Sequence, residues 1–408
     1  MAPAASPSIP EPKPKPFQPP PSLSLPPSQF ARLQPHSYLL AHLSPSTPSS
    51  RPPLRVNGRT KSQFRPVSIN TGSLTHTNAS AVVRIGDTVA VCGVRAEILS
   101  TDDIAAWNVS SSSDTSTPTK RRKTNAGAQN LAEEEEEEKE DEEDDSALQN
   151  FHLLVPNLSL NTGCTPSITP GAAPSPHAQS LSHQLLSLLH SSRLVRASDL
   201  RILHHPPDLS AINNEQQQQQ QQQQDNTSST AEPETKAFWT LYIDVLIISH
   251  AGNVFDAAWG AVVAALRDTR LPRAWWDMDS EMVLCSDSVA EARPLRLRGL
   301  PVASSFGVFE RDVVGSVMSP MSGKEEEDVE KPRWWILADP DAFEESLCKE
   351  RVCVVVDREG DGEGGRVRIV RLEKNGGVAV GRAEVRELVE LAAGRWAEWR
   401  GVFERVDG

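Results

Sequence analysis

The side chains able to do chemistry fall into a few clusters, and most lack the companions their chemistry needs. Arg293-Pro294-Leu295-Arg296-Leu297-Arg298 sets three guanidinium groups within six residues. Arg293, Arg296 and Arg298 are therefore candidate contacts to nucleic-acid phosphates, because such binding is carried by cations meeting phosphates; the alternative is a strand with exposed charges. Lys120-Arg121-Arg122-Lys123 reads either as a nuclear-localisation patch or as a solvated charge run. Cys348 and Cys353 stand five apart, but no second Cys or His pair completes the four ligands of a zinc site. His204-His205 has no carboxylate or Cys cluster beside it in the sequence, and a surface role is expected. No metal, no cofactor and no catalytic constellation follow from these residues.

Composition narrows the class. A length of 408 residues is compatible with two or three domains. The net charge of −14 is misleading, because residues 133–145 (EEEEEEKEDEEDD) hold twelve carboxylates and one Lys, leaving about −3 for the rest. Acidity normally argues against phosphate partners, but acidity confined to one run does not. That run reads as a solubilising loop or as bait for a basic partner. Five scattered cysteines, an odd number, suit a reducing compartment better than a disulfide framework. Neither a secretory signal nor a stretch of about 18 apolar residues is seen, so a soluble intracellular protein with no membrane partner is expected.

The pattern along the chain places the clusters on elements. Residues 1–29 are rich in Pro and Ser and are expected to be disordered, since little apolar surface offsets their ordering entropy. Three low-complexity insertions follow: about 108–147, about 208–236 with nine consecutive Gln (Gln216 to Gln224), and about 319–332. Loop-closure entropy rises slowly with length, so such insertions are tolerated between elements. Ser80 to Ile98 predicts two strands around a Gly86-Asp87 turn. Phe151 to Leu160 is a further strand candidate. Ser175-Pro176 opens a helix as N-cap and first-turn Pro, with Ala178, Leu181, Leu185, Leu188 and Leu189 at helical spacing. Phe238 to Ser249 is almost continuously apolar, as expected of a strand buried on both faces, and leads into a buried Ala-rich helix, Phe255 to Leu266. Val302 to Phe309, Trp334 to Ala338, Val352 to Asp357 and Val367 to Leu372 predict strands. The last helix, about Arg382 to Trp399, carries Val385, Leu388, Val389, Ala392, Trp396 and Trp399 on one stripe. The expected class is α+β, with a larger first layer and a smaller second one.

Several ordered stretches resemble the RNase PH superfamily. Phe64-Arg65-Pro66-Val67-Ser68-Ile69-Asn70-Thr71-Gly72-Ser73, then Ala81-Val82-Val83-Arg84-Ile85-Gly86-Asp87-Thr88 and Gly93-Val94-Arg95-Ala96-Glu97-Ile98, are similar to its opening strand pair. Val155 to Pro174 and Leu241 to Ala258 continue the likeness in the same order, and within the superfamily the non-catalytic ring subunits of the RNA exosome are the most similar. Arg55-Val56-Asn57-Gly58-Arg59 stands where the family has Arg-Pro-Asp-Gly-Arg, and Asn-Gly allows the same bend. The resemblance implies ribosomal-protein-S5-like βαβ layers in a first domain over 30–292, and a smaller second RNase PH domain with the terminal helix over 293–408.

The resemblance also implies a test for activity. Active members use inorganic phosphate as nucleophile, held by a Gly-Thr-Arg-Thr turn; the matching turn is Gly252-Asn253-Val254-Phe255, which has lost the Arg and both hydroxyls. One such contact is worth about 3–4 kcal/mol. The paired catalytic acids fall on Glu345 and Arg351, so one has become a cation; Asp339 and Asp341 reach those positions only after a shift of register. A chain without nuclease activity is expected. The resemblance further implies a hetero-hexameric ring of RNase PH-like subunits, a direct neighbour of the ribosomal RNA-processing protein 46 type, RNA-binding cap subunits, and single-stranded RNA threading the channel. It implies residence in nucleus, nucleolus and cytoplasm. In such a ring Trp275-Trp276 and Trp334-Trp335 are expected in core or interface.

Overall fold

The computed structural model describes residues 26–45, 52–104, 144–171, 173–204, 234–311, 334–359, 365–377 and 380–407. The Lys120–Lys123 patch, the Gln tract, the 319–332 loop, most of the acidic run and the first 25 residues lie outside the described residues. Contacts divide the chain after Asn57. In the first unit, α1 (Pro27–Leu33) and α2 (Pro35–Leu43) each begin on Pro, whose fixed φ suits a first helical turn. Phe30 and Tyr38 meet edge to face at 5.8 Å. Helix therefore starts inside the stretch expected to be disordered.

The second unit begins with β1 (Val67–Thr71), β2 (Ala79–Ile85) and β3 (Thr88–Ser100). Ile85 pairs with Thr88, so Gly86-Asp87 is a two-residue hairpin turn, and Gly86 has the positive φ such a turn needs. Residues 144–150 form a helix, α3. Then come β4 (Leu154–Leu160), α4 (Pro176–Ser192), α5 (Ala197–Leu200), β5 (Arg201–His204), β6 (Glu234–Ser249) and α6 (Val254–Asp268). The six strands form one sheet in the order β1-β2-β3-β6-β4, with β5 also on β6; only the β4–β6 pairing is parallel. The α3 helix and the start of β6 run into ranges assigned to insertions. Asp144 explains the first case: it bonds Arg201 Nη2 at 2.9 Å and so belongs to the folded part.

Ser175 caps α4 as expected, its Oγ accepting from the Ala178 N–H at 3.2 Å, and the predicted apolar stripe is buried. The expectation for β6 needs correction. Leu241, Ile243, Val245 and Ile247 are buried, but Leu246 and Ile248 on the opposite face are 39% and 45% exposed. A continuous apolar run does not by itself tell a two-sided strand from one whose outer face is also greasy.

The chain continues through short strands β7 (Arg270–Leu271), β8 (Ala274–Asp277), β9 (Met282–Cys285) and β10 (Arg293–Pro294). β8 and β9 make a hairpin carrying Trp275 and Trp276; Trp275 is exposed, and Lys236 Nζ lies 5.5 Å over the Trp276 ring. The second sheet has the order β12-β11-β13-β14, from β11 (Val302–Glu310), β12 (Trp334–Ala338), β13 (Glu350–Glu359) and β14 (Arg366–Asn375), with the short α7 (Ala342–Leu347) between β12 and β13. The final helix, α8 (Arg382–Asp407), runs two turns beyond Trp399.

Helix α6 joins the two sheets. It packs on β2 and β3 from one side and β11 from the other, so every residue from Val254 to Leu266 is buried. That is why its sequence has almost no polar face. Trp399 of α8 lies against Gly260, where any Cβ would overlap the indole. Trp259 anchors the same layer, its Nε1–H donating to the Pro301 carbonyl at 2.8 Å.

Candidate functional site

The turn expected to matter, Gly252-Asn253, opens α6 at the seam between the sheets. Gly252 has φ +95°, and a Cβ there would overlap the Asp341 and Ala342 backbone of α7. Only glycine meets both demands. Asn253 is left-handed at φ 49°, a conformation Asn tolerates better than most residues.

Cations do gather at this turn, from places the local sequence does not show. Arg65 brings its Nε and Nη2 to the two oxygens of Asp339 at 2.8 and 2.7 Å. The same guanidinium donates to the Ala251 and Gly252 carbonyls, each at 3.1 Å, while the Thr88 hydroxyl donates to the Gly252 carbonyl at 2.7 Å. Burial alone pushes the Asp339 carboxyl up, but Arg65 and Asn253 more than offset this and hold it at about 2. Arg59 adds a contact to the Asp339 carbonyl at 3.1 Å. Asn253 Nδ2 bridges Asp339 and Asp256 at 2.8 and 2.7 Å. Asp256 in turn accepts from Ser305 N–H and Oγ–H at 2.9 and 2.7 Å, and its burial keeps its pKa raised. The result is a buried network locking α6 to the second sheet, with the Asn253 Oδ1 left without a partner among the described residues.

Glu345 and Arg351 also meet, as an ion pair. Glu345 Oε1 accepts the Asn253 N–H at 3.0 Å. A carboxylate of the chain itself thus sits on the N-terminus of α6, where an external anion would otherwise be favoured. Asp341 is placed differently: it forms a capping box with Glu344 and so belongs to the architecture of α7. Two histidines missed by the sequence reading complete the mouth. His177 and His250 stack at 6.3 Å; burial foremost keeps both below the usual imidazole range, followed by Arg351 for His177 and by His177 and then Arg351 for His250. Phe64-Arg65-Pro66 carried the signal for Arg65, since it lies in the opening motif; nothing local marked the histidines.

The arginines proposed as phosphate contacts separate. Arg293 and Arg296 are exposed beside β10, whereas Arg298 lines a cavity at the other end of α4 with Arg193 and Arg196. Trp335 is buried against Phe309 at 6.0 Å. Cys92 and Cys353 are buried thiols pushed up by that burial. Among the described residues no three His, Cys, Asp or Glu side chains are placed to hold a metal ion. No helix of the described residues is long and apolar enough to cross a membrane.

A six-stranded sheet with one parallel pairing, a buried helix and a second four-stranded sheet define an RNase PH-type fold. The chain belongs to the 3′ exoribonuclease (RNase PH) family, whose domain 1 model matches residues 63–136 and 105–272. It is similar to exosome complex component rrp43 of Schizosaccharomyces pombe, 26% identical over 374 residues, which is 92% of this chain and 97% of that one. It is also similar to exosome complex component Rrp42 of Methanothermobacter thermautotrophicus, 22% identical over 83% of this chain and 85% of that one. Among solved structures, a chain of the Archaeoglobus fulgidus exosome with RNA bound to the active site shares the fold, with a TM-score of 0.52, 18% identity, and coverage of 90% of this chain and 97% of that one.

Proposed function

We propose that the chain is a non-catalytic ring subunit of the RNA exosome, of the ribosomal RNA-processing protein 43 type, which its motifs resemble. The likeness to rrp43 over nearly the whole of both chains supports this reading. The observation that carries the non-catalytic part is the α6 turn. Residues 252–255 bring no cation, and the Asn253 N–H is held by the chain's own Glu345. A dianionic phosphate nucleophile has no preorganised cradle there. The subunit pairs with a 46-type neighbour in a six-membered ring that carries cap subunits and threads single-stranded RNA, serving ribosomal RNA maturation and RNA turnover in nucleus, nucleolus and cytoplasm.

The test is affinity purification from native extract with mass spectrometry of the co-eluting proteins, joined to an assay for nucleoside diphosphates released from RNA with phosphate. Ring and cap subunits with a 46-type neighbour are expected, with no diphosphates from the purified chain. A different dimer partner would move the assignment to a 42-type or 45-type subunit. Diphosphate release abolished by Arg351→Ala would instead establish an active phosphorolytic exoribonuclease.

A further inference from the structure

The strands that end the two sheets are guarded differently. An edge strand exposes unpaired main-chain groups, and charged side chains or Pro along it discourage pairing with another chain. β14, at one end of the second sheet, carries Arg366, Arg368, Arg371, Glu373 and Lys374. β4, at one end of the first sheet, has the sequence LVPNLSL and no charged residue.

The ladder to β6 decides which groups of β4 face outward. In a parallel pair only alternate residues of a strand bond the neighbour, and those between them point the opposite way. The Leu241 N–H donates to the Leu153 carbonyl at 2.8 Å, and the Asn161 N–H donates to the Ile247 carbonyl at 3.0 Å. Between these bonds the pairing runs unshifted from Leu154 with Leu241 to Leu160 with Ile247, so the odd-numbered residues of β4 bond β6. Leu154, Pro156, Leu158 and Leu160 therefore turn their main-chain groups outward. Pro156 has no N–H to offer, and its carbonyl accepts from Ser182 Oγ of α4 at 3.2 Å. Beyond it, the N–H and C=O of Leu158 and Leu160 meet no partner among the described residues.

These four groups border a cavity of about 740 Å³, walled by residues 156–160 of β4, the loop that follows and the first half of α4. Its lining includes Thr162, Ser167, Thr169, Gln179 and Ser182 but, among the described residues, no Lys, Arg, Asp or Glu. Without a cation, the cavity has nothing to hold a nucleic-acid phosphate. A row of free N–H and C=O groups is matched by another main chain in extended form, whose hydrogen bonds supply the affinity. An uncharged segment suits the lining, since an ionised group buried there would lack a counter-charge.

We propose that the 158–160 edge of β4 binds an extended, uncharged segment of a partner protein, which adds a short strand to the first sheet beside α4. This binding does not depend on the proposed function.

NMR of the full chain tests it, by amide exchange and by titration with the end-blocked peptides Thr-Val-Thr-Val-Thr-Val and Gln-Leu-Gln-Leu-Gln-Leu. In the free chain the Leu158 and Leu160 amides are expected to exchange at least tenfold faster than those of Asn157 and Ser159, which bond β6. Saturable binding of at least one peptide should slow Leu158 and Leu160 at least tenfold. The same peptide N-methylated at every residue has no main-chain donors and should bind at least tenfold more weakly. Gln179→Arg, at an exposed position of α4, puts a long charged side chain at the groove. It should weaken binding at least fivefold and leave the unfolding midpoint in place. Slow exchange of Leu158 and Leu160 in the free chain, no saturable binding of either peptide, equal affinity for the N-methylated form, or unchanged binding by Gln179→Arg would each overturn the proposal. Protection of the same two amides by oligouridylate would also overturn it, by making the groove a nucleic-acid site.

Discussion

The α6 turn and the cavity at the far end of α4 are both built around guanidinium groups, yet they differ in how far their charge pairs are withdrawn from water. At the turn, each arginine meets a carboxylate of the same chain: Arg65 with Asp339, Arg351 with Glu345. In the cavity at the far end of α4 the pairs lie nearer solvent: Arg193 reaches Asp145 and Arg400 reaches Glu404 from side chains that are a third to a half exposed. A buried cation matched internally is part of the architecture, because separating the pair leaves an uncompensated charge. A pair held near solvent is screened by water and contributes little to the fold. The same residue type thus locks one region and only lines the other.

The comparison can be broken most severely at Arg65. Arg65→Ala leaves Asp339 buried with only its weaker partners and is expected to cost about 3–5 kcal/mol, read by urea unfolding. The pH dependence gives a second readout. Asp339 is held at about 2, below the ordinary unfolded value of about 3.9. Its stabilisation is therefore complete above about pH 4 and is lost as pH falls from there towards 2. In Arg65→Ala that acid-side loss should largely disappear; an unchanged acid limb would show that Arg65 does not hold the carboxylate.

A smaller effect is expected from Gly252→Ala, which forces a side chain into positive φ against the α7 backbone. About 1–3 kcal/mol is expected, with α7 loosened, measurable as faster amide exchange at residues 342–347. The smallest change sharpens the contrast. Glu345→Gln removes the internal anion while keeping the shape, at a cost of about 1 kcal/mol in this part-exposed pair. Phosphate at millimolar concentration should leave the wild-type unfolding midpoint unaffected at this turn and raise that of Glu345→Gln by about 2 °C. A variant indifferent to phosphate would mean that Glu345 is not what keeps anions off the α6 N-terminus.

Much of this was legible in the chain. Alternation and β-branching marked β2, β3 and the second sheet, and the Gly86-Asp87 turn fixed their hairpin. Ser175-Pro176 announced α4, and the absence of polar residues from Val254 to Leu266 announced a helix enclosed on all sides. That residues 252–255 hold neither a cation nor a hydroxyl could also be read directly. The β8–β9 hairpin was not, because four-residue strands carry too little periodicity to stand out. The outer exposure of Leu246 and Ile248 was hidden because apolar residues occupy both faces of β6.

The sequence alone thus determined most of the elements, their order and the absence of a cation from residues 252–255, since each depends on residues within one or two turns or strands. Only the tertiary structure brought Arg65 to Asp339 across 274 positions, set Glu345 on the Asn253 N–H, and gathered arginines from α4, α6, β13, β14 and α8 into one cavity. Local patterns record which face of an element is apolar. Which charges then meet depends on how those faces pack, and packing joins residues that share no periodicity along the chain.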